Sequence, residues 1–377
     1  MMNYSDHRNF SRKISIETNQ KCNLNCIYCY EQMRSEGTLN IDRIKRVLSK
    51  ELSTKTEQGT IIDFHGGEPF LIFQTIKELC EWLWSKNLQE HFIIHTTTNG
   101  TLIHGDIQKW LIKNRERFFV KLSLDGTKKA HNINRNNSFE DIDLQFFLRN
   151  WPQVALKMTI SKQSLPFLAE SIIFFHNNRF QNIQSSLAGF VGWGSTRDQR
   201  IFKKQLSILN DYYLKYPNIS RCSLYDIPFD HLLDPDNLSW YQKPCLTGRK
   251  IAYDIYGIKK YPCHLLIPSV TKMAPYNASN FHTIDKKSLS SYVSEECMNC
   301  VVKPICRTCY GINQLYRGSI CARDMGFCVM EKIRIASVAK FEYLRLIEKD
   351  TVGINQTDYI KMHAISKIVP WINKTLS

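Results

Sequence analysis

The sequence of 377 residues predicts an α/β fold, a partial (β/α)6 TIM-like barrel followed by a small, loop-rich C-terminal domain. Over the first two thirds, six strand-like segments alternate with longer segments of helical spacing, a pattern that favours a parallel sheet with helices outside. From about Leu232, helical periodicity fades and prolines become frequent, and eight of the thirteen cysteines follow. This composition is typical of a small domain held by metal rather than by an apolar core.

The predicted strands share an enrichment in β-branched, aromatic or apolar residues. They cover residues 14–19, 60–65, 92–98, 118–124, 154–161 and 183–190. Helical spacing predicts helices over residues 41–52, 72–84 and 107–118, and again from 330 to about 348. The predicted domains are the barrel over residues 1–231, the cysteine-rich domain over 232–335 and a helical tail over 336–377.

Composition excludes several classes of protein. A chain that is 43% hydrophobic is not wholly disordered, and no apolar run reaches the ~18 residues that cross a bilayer. The polar N-terminal segment lacks the apolar stretch of a signal peptide, so we expect a cytoplasmic protein without a membrane partner. The net charge of +15 favours an acidic partner of some kind.

The first three clustered cysteines follow the first predicted strand directly. Cys22, Cys26 and Cys29 are separated by three and then two residues. In a reducing compartment, clustered cysteines bind metal more often than they form disulfides. Three thiolates on one loop can hold three irons of a cubane cluster and leave the fourth iron open. The alternative is a zinc loop with a distant fourth ligand.

Polar and glycine-rich segments follow each of the next three strands. They are His65-Gly66-Gly67-Glu68-Pro69, Thr98-Asn99-Gly100-Thr101 and Ser123-Leu124-Asp125-Gly126, the last followed by His131 and Arg135. Barrel folds build their sites at the carboxyl ends of consecutive strands. These segments are therefore expected to form one site with the cysteine loop.

Together these segments resemble the radical S-adenosylmethionine (SAM) superfamily, whose CxxxCxxC signature has an aromatic residue before the last cysteine, here Tyr28. The resemblance implies a [4Fe–4S] cluster on the three cysteines and a bound SAM. In relatives the glycine-rich segment contacts the methionyl amino group, the serine touches the ribose or carboxylate region, and the arginine pairs with the carboxylate. Carried over to this sequence, the SAM-binding residues are Tyr28, Gly66, Gly67, Glu68, Asn99, Ser123, Asp125 and Arg135.

The distal cysteines resemble the SPASM extension, which holds auxiliary iron–sulfur clusters in relatives. Two spacings depart from that pattern by one residue each, after Gly257 and before Cys309. The resemblance implies an outer cluster on Cys297, Cys300, Cys306 and Cys328, and an inner cluster on Cys245, Cys263 and Cys309. Ile251 stands where some relatives carry a fourth inner cysteine, so this iron is open or takes Cys222, Cys321 or a non-cysteine ligand. A zinc ribbon on residues 297–309 is the alternative, and Cys80 is expected to be a core residue.

The resemblance implies an enzyme that modifies a ribosomally made peptide and closes a carbon–carbon, ether or thioether cross-link. Residue oxidation as in anaerobic sulfatase maturases is an alternative. Those enzymes carry an aspartate that serves as the base at the position of His264, which makes His264 a weak catalytic candidate. A zinc-bound nucleic-acid-binding protein is the alternative of another class. The implied partners are a precursor peptide and an electron donor such as flavodoxin or ferredoxin. With 21 residues before Cys22, a separate leader-binding protein is a further expectation.

Overall fold

The computed structural model describes residues 10–31, 34–234, 250–268, 270, 294–347 and 354–377. The chain divides into two compact units, Met1–Met158 with Cys245–Thr283, and Thr159–Pro244 with Ile284–Ser377. The division into three domains given above stays a prediction. In the described ranges, no helix is both long and apolar enough to cross a membrane.

The first unit is built on a mainly parallel sheet. Its strands are β1 (Arg12–Glu17), β2 (Thr60–His65), β3 (Phe92–Thr98), β4 (Phe118–Ser123) and β5 (Ala155–Ile160), with β6 (Asn182–Leu187) in the second unit, and then β7 (Lys250–Tyr253) and β8 (Lys260–Tyr261). The order in the first unit is β5-β4-β3-β2-β1-β7-β8. All neighbouring pairs from β5 to β7 are parallel, and β8 is antiparallel to β7. The predicted α/β fold and its strands are confirmed.

Helices follow the strands of the first unit as predicted. They are α1 (Ile41–Glu51), α2 (Phe73–Ser85), α3 (Gly105–Lys113), α4 (Lys128–Asn134) and α5 (Leu144–Asn150). The α1 helix begins where the Asn40 side chain accepts a hydrogen bond from the Arg43 amide, and it buries Ile44 and Leu48. The prediction that the third helix reaches residue 118 was wrong. It ends at Lys113, because the chain turns there and Phe118 begins β4.

The second unit is mostly helical. Its helices are α6 (Leu168–Asn177), α7 (Thr196–Lys215), α8 (Glu295–Met298), α9 (Tyr310–Arg317), α10 (Met325–Ile347), α11 (Gln356–Ser366) and α12 (Val369–Leu376). A capping box of Ser195 and Asp198 starts α7, and α7 packs on α10 through the rings of Tyr213 and Phe341, 6.4 Å apart. The predicted helix near residue 330 is confirmed and begins five residues earlier, at Met325.

One part of the segment predicted to be loop-rich belongs to the main sheet. Lys250 pairs with Lys13 in the register of β7 against β1, and β8 continues the sheet beyond it. The expectation of loop structure is therefore corrected for residues 250–253 and 260–261. A strand of four residues has too little alternation to be recognised from the sequence.

The two faces of the sheet differ in chemistry. One face carries apolar side chains that are fully buried, among them Ile14, Ile62 and Leu122. Because side chains alternate along a strand, their neighbours point to the opposite side. We call this opposite side of the sheet the polar face. Its charged side chains are those of Lys13, Asp63, Lys121, Lys157 and Lys250, with Glu17 nearer the carboxyl edge.

Candidate active site

The cysteine loop, residues 22–29, lies against the carboxyl end of β2. The Glu68 amide donates to the Lys21 carbonyl at 2.7 Å, and the Gly67 amide donates to the Asn19 carbonyl at 3.2 Å. The Asn19 side-chain amide donates in turn to the Glu68 carbonyl at 2.8 Å. The loop after β1 is thus fixed by the loop after β2, as the predicted shared edge requires.

Two glycines allow this close approach. A Cβ at Gly67 would lie 1.8 Å from the Lys21 carbonyl oxygen, and one at Gly66 would lie 2.4 Å from the Asn19 oxygen. Gly66 also has a φ of 147°, which L-residues rarely adopt. These glycines therefore position the cysteine loop, a role that the sequence analysis did not assign to them.

The three thiols of the loop are half-buried. Burial raises the pKa of Cys22 to about 11, with smaller contributions from Glu68 and Cys26. Burial also raises the pKa of Cys26, which interacts with Cys29 and is partly compensated by Arg135. Thiols with raised pKa values stay protonated until a metal replaces the proton.

Glu68 connects the ends of β2 and β3. Its carboxylate accepts hydrogen bonds from the Asn99 amide at 2.8 Å, the Thr98 hydroxyl at 2.8 Å and the Phe70 amide at 3.2 Å. Burial raises its pKa to about 7 against the effect of these three donors. The Glu68 carboxylate thus holds the site together and is 1% exposed.

Asn99 reaches the cysteine loop from the end of β3. Its side-chain amide donates to the Asn23 side-chain oxygen at 2.9 Å and lies 4.0 Å from the Cys22 sulfur. Thr101 donates to the Asn99 oxygen and accepts from Asn23 at 2.8 Å. These contacts place the predicted Asn99 beside a predicted cluster ligand.

A second buried network joins the end of β4 to the same loop. Arg135 binds Asp125 through two hydrogen bonds, Nε to Oδ2 at 2.9 Å and Nη2 to Oδ1 at 3.2 Å. The Tyr28 hydroxyl and the Asn134 amide also donate to Asp125. Arg135 Nη1 lies 3.9 Å from the Cys26 sulfur. The structure therefore gives Arg135 a carboxylate partner within the chain, whereas the resemblance implied the carboxylate of SAM.

The donor set of the loop fits an iron–sulfur cluster. In the described part of the chain, no three His, Cys, Asp or Glu side chains converge closely enough for a single metal ion. A cubane separates its ligand sulfurs by the width of the cluster, so three half-buried thiols on one loop suit it better than they suit a lone zinc ion. Cys22, Cys26 and Cys29 would hold such a cluster beside Asn99 and Arg135.

His264 lies beside the polar face. Its Nδ1 is 2.6 Å from the Lys250 ammonium, and its ring centroid is 5.3 Å from that of His65. Burial, followed by Lys250, lowers the pKa of His264 well below its usual value. The neighbouring Cys263 sulfur lies 3.9 Å from His264 Nδ1. The lysines of this face were not singled out from the sequence.

In the second unit, the distal cysteines that were predicted to bind the outer cluster interact with one another. Burial raises the pKa of the Cys306 thiol, and Cys328 and Cys300 raise it further. Burial also raises the pKa of Cys328, with smaller contributions from Cys297 and Cys300. The Arg323 guanidinium lies 3.9 Å from the Cys306 sulfur, and the Ser294 hydroxyl donates to Cys297 at 3.3 Å. Four thiols near a positive side chain fit a closed cluster site.

The remaining cysteines differ in setting. Cys222 is fully buried beside Tyr213, whose hydroxyl accepts from the Cys222 amide at 3.1 Å, and burial raises its thiol pKa to about 11. Cys80 is fully buried in α2, consistent with a core residue. Cys321 is half-buried. Cys245 lies outside the described residues, and the inner cluster stays a prediction.

The parallel sheet, the three thiols after its first strand and the networks at the next three strand ends define an iron–sulfur protein of the α/β barrel type. Residues 16–143, which contain the cysteine loop and the segments after β2, β3 and β4, match the sequence profile of the radical SAM superfamily. This segment of the chain, which holds the cysteine loop, is therefore similar to that superfamily. The superfamily's cofactors are SAM and a [4Fe–4S] cluster.

Several curated enzymes are similar in sequence to this chain. The cysteine-type anaerobic sulfatase-maturating enzyme of Clostridium novyi is 26% identical over 179 residues, which cover 43% of this chain and 47% of that protein. The radical SAM cyclopropyl synthase TigE of Paramaledivibacter caminithermalis is 22% identical over 369 residues, 90% of this chain and 74% of that protein. The matches to sulfatase-maturating enzymes span only about a third to a half of those relatives.

Solved structures share the fold. The structure of anSMEcpe with bound AdoMet has a TM-score of 0.65 and 19% identity, covering 94% of this chain and 98% of that one. Streptococcus suis SuiB bound to precursor peptide SuiA has a TM-score of 0.55 and 18% identity, covering 83% of this chain and 74% of that one. Such low identities establish the fold alone.

Proposed function

We propose that this chain is a radical SAM enzyme that modifies a ribosomally made precursor peptide and closes a carbon–carbon, ether or thioether cross-link. One observation carries the enzymatic part. Asn99, which follows β3, and Arg135, at the end of α4, reach within 4.0 Å of two cysteine sulfurs on the loop after β1. The peptide substrate is supported by relatives whose names refer to peptide biosynthesis or to a bound precursor peptide.

When bound, SAM and a reduced cluster would supply radical chemistry that removes hydrogen from an unactivated carbon. The chain supplies placement. Cys22, Cys26 and Cys29 would bind the cluster, and the buried Glu68 and Asp125 networks hold that loop rigidly. Such rigidity limits water access and fixes the distance to the reacting carbon.

Residue oxidation of the sulfatase-maturase kind is the second candidate, supported by the sulfatase-maturating relatives. It needs a base near the substrate. Because His264 Nδ1 accepts a hydrogen bond from the Lys250 ammonium, Nε2 of the neutral ring carries the proton and has no free lone pair with which to act as that base. We therefore rank peptide cross-linking first.

Auxiliary clusters and protein partners complete the proposal. Cys297, Cys300, Cys306 and Cys328 would hold an outer [4Fe–4S] cluster, and Cys245, Cys263 and Cys309 an inner one. A flavodoxin or ferredoxin of the cytoplasm would reduce the enzyme. A separate protein would present the leader of the precursor peptide.

The test is anaerobic reconstitution followed by two assays. The wild-type protein should release 5′-deoxyadenosine from SAM when reduced, and a precursor peptide encoded beside this gene should lose two hydrogens by mass spectrometry. Cys26→Ala should abolish both, whereas Cys80→Ala, a matched cysteine outside the loop, should retain both. Conversion of a peptidyl cysteine or serine to an aldehyde would favour the sulfatase-maturase reaction. Absence of 5′-deoxyadenosine from fully loaded protein would refute radical SAM activity.

A further inference from the structure

The polar face of the sheet concentrates positive charge in a buried place. Register puts Lys250 beside Lys13, and Lys157 beside Ser123 at the end of β4. Lys121 and Lys250 are 4% and 8% exposed. Buried lysines are rare unless a partner compensates their charge. Two buried lysines, with the half-buried Lys13 and Lys157 on the same face, make this a concentration of positive charge.

The carboxylates of this face are fewer than its lysines. On the described strands the face carries two, Asp63 and Glu17. Asp63 forms a salt bridge with Lys13 at 2.8 Å. Glu17, nearer the carboxyl edge, accepts from the Ile255 amide at 3.2 Å. The lysines also act on one another, since burial together with Lys13 and Lys250 lowers the pKa of Lys157 to about 8. An added anion would relieve this repulsion.

Neighbouring polar groups have unused hydrogen-bonding capacity. The Ser15 hydroxyl is fully buried on the polar face, opposite Asp63, and it has no hydrogen-bond partner among the described residues. Both ring nitrogens of His65, on the same face, are buried and equally unpartnered there. A buried hydroxyl or imidazole without a partner costs free energy that a ligand can recover.

The face is not sealed. The side chains of Lys13 and Asp63 are 15% and 13% exposed to solvent. The face also continues to the catalytic edge, because Lys157 is in register with Ser123 and accepts a backbone hydrogen bond from Leu124 at 3.1 Å. An anion held by the lysines would thus lie one strand away from the segment that leads to Asp125 and Arg135.

We propose that the lysines of the polar face, with Ser15 and His65, bind a carboxylate of the substrate peptide. This inference rests on the proposed function for the identity of the substrate. Ammonium groups and a hydroxyl are donors that match the acceptor oxygens of a carboxylate. The carboxylate comes from an aspartate or glutamate side chain or from the C-terminus of the peptide. Its capture orients the substrate for hydrogen abstraction.

Fragment binding tests the site without any knowledge of the peptide. Four probes are offered to reconstituted protein in ligand-observed NMR: N-acetylglutamate amide for a side-chain carboxylate, N-acetylalanine for a C-terminal carboxylate, neutral N-acetylglutaminamide and inorganic phosphate. At least one carboxylate should bind, and the neutral amide should not. Binding of phosphate alone, or no preference for carboxylate over amide, would overturn the proposal.

Variants locate the binding on the polar face. Lys157→Met and Lys250→Met remove the charge and keep the length of the side chain. Ser15→Ala removes only an unpartnered hydroxyl and so preserves the fold if a lysine variant does not. Each lysine variant should weaken binding of the carboxylate probe by about 10- to 100-fold, the range for loss of a charge-assisted hydrogen bond. Lys50→Met on the exposed side of α1 is the control and should bind like wild type. Equal binding by all variants would place the carboxylate elsewhere.

A peptide arm separates this inference from the proposed function. Two amidated forms of a precursor peptide that the wild type modifies are compared, one amidated at an acidic side chain and one at the C-terminus. KM should rise for one of them, and the amidation that raises KM identifies the carboxylate that binds. If neither amidation alters KM while the peptide is still modified, the carboxylate site is refuted and the proposed function is supported. If carboxylate fragments bind but no peptide is modified, the proposed function fails and the site remains.

Discussion

Arg135 holds Asp125 in a two-point ion pair between a side chain 7% exposed and one fully buried. Asp125 also receives hydrogen bonds from Tyr28 and Asn134, and Arg135 stands over the Tyr28 ring at 5.5 Å. Tyr28 precedes Cys29, so this pair anchors the cysteine loop to the end of β4. The Arg135 charge therefore has a partner within the protein, and its removal should affect stability as well as the binding of SAM.

Arg135→Ala should destabilise the protein, because it leaves the Asp125 carboxylate buried and unpaired. Breaking one partner of a buried ion pair costs about 3–5 kcal/mol. We expect a lower free energy of unfolding in denaturant titration and less iron per chain after reconstitution. Arg115→Ala, at an exposed arginine of the same unit, is the control. A variant of wild-type stability and iron content that only binds SAM weakly would restore the role implied by the resemblance.

Gly67→Ala should displace the cysteine loop. The added methyl group would meet the Lys21 carbonyl oxygen at 1.8 Å, a distance that the backbone must relieve by moving. Overpacking of this kind typically costs ~1–3 kcal/mol. Iron content and 5′-deoxyadenosine release should both fall. Gly192→Ala has no heavy atom within 4 Å of the new Cβ, so it should behave like wild type. Full activity of Gly67→Ala would contradict the close packing of the two loops.

The sequence sufficed for those features whose signal is local. The strands β1 to β4 were recognised from short runs of apolar residues, and the segments at Cys22, Gly66, Asn99 and Ser123 then followed because parallel strands end at a common edge. The partners of those segments were not accessible in the same way. That Arg135 binds Asp125, or that Gly67 faces Lys21, depends on packing between segments distant in sequence.

The features missed by sequence reasoning have a common cause. The strand β7 has four residues, and its place beside β1 is a pairing between the two ends of the unit. The lysines of the polar face were hidden because one lysine in each of several strands forms no pattern until the strands are aligned. Helices α11 and α12 lie within the predicted helical tail, but their bounds were not predicted because the last residues give no clear helical spacing.

His131 should make stability depend on pH. Burial, followed by Arg135, lowers its pKa from the usual 6.5 to about 4. Between those values the unfolded chain binds the proton that the folded chain refuses, so the free energy of unfolding is fully retained above pH 6.5 and falls as pH drops toward 4. The loss approaches about 3 kcal/mol. His131→Gln should flatten this part of the profile relative to wild type, whereas His104→Gln, at an exposed histidine, should not. Parallel profiles for wild type and His131→Gln would show that the pKa of His131 is the same in the folded and unfolded chain.

The last prediction separates ligand cysteines from core cysteines in the second unit. Cys306 interacts with Cys300 and Cys328 beside Arg323, whereas Cys222 is fully buried among aromatic rings. Cys306→Ala should therefore remove the iron and sulfide of one cluster, because three thiolates hold the outer cluster less well than four. Cys222→Ala should keep all the iron and lose only ~1 kcal/mol of stability, the cost of a small cavity in the core. Iron and sulfide analysis on both variants, with thermal unfolding as the second measurement, gives the comparison. Full iron in Cys306→Ala would exclude that residue as a ligand, and loss of a cluster in Cys222→Ala would make Cys222 the fourth ligand of the inner cluster despite its burial.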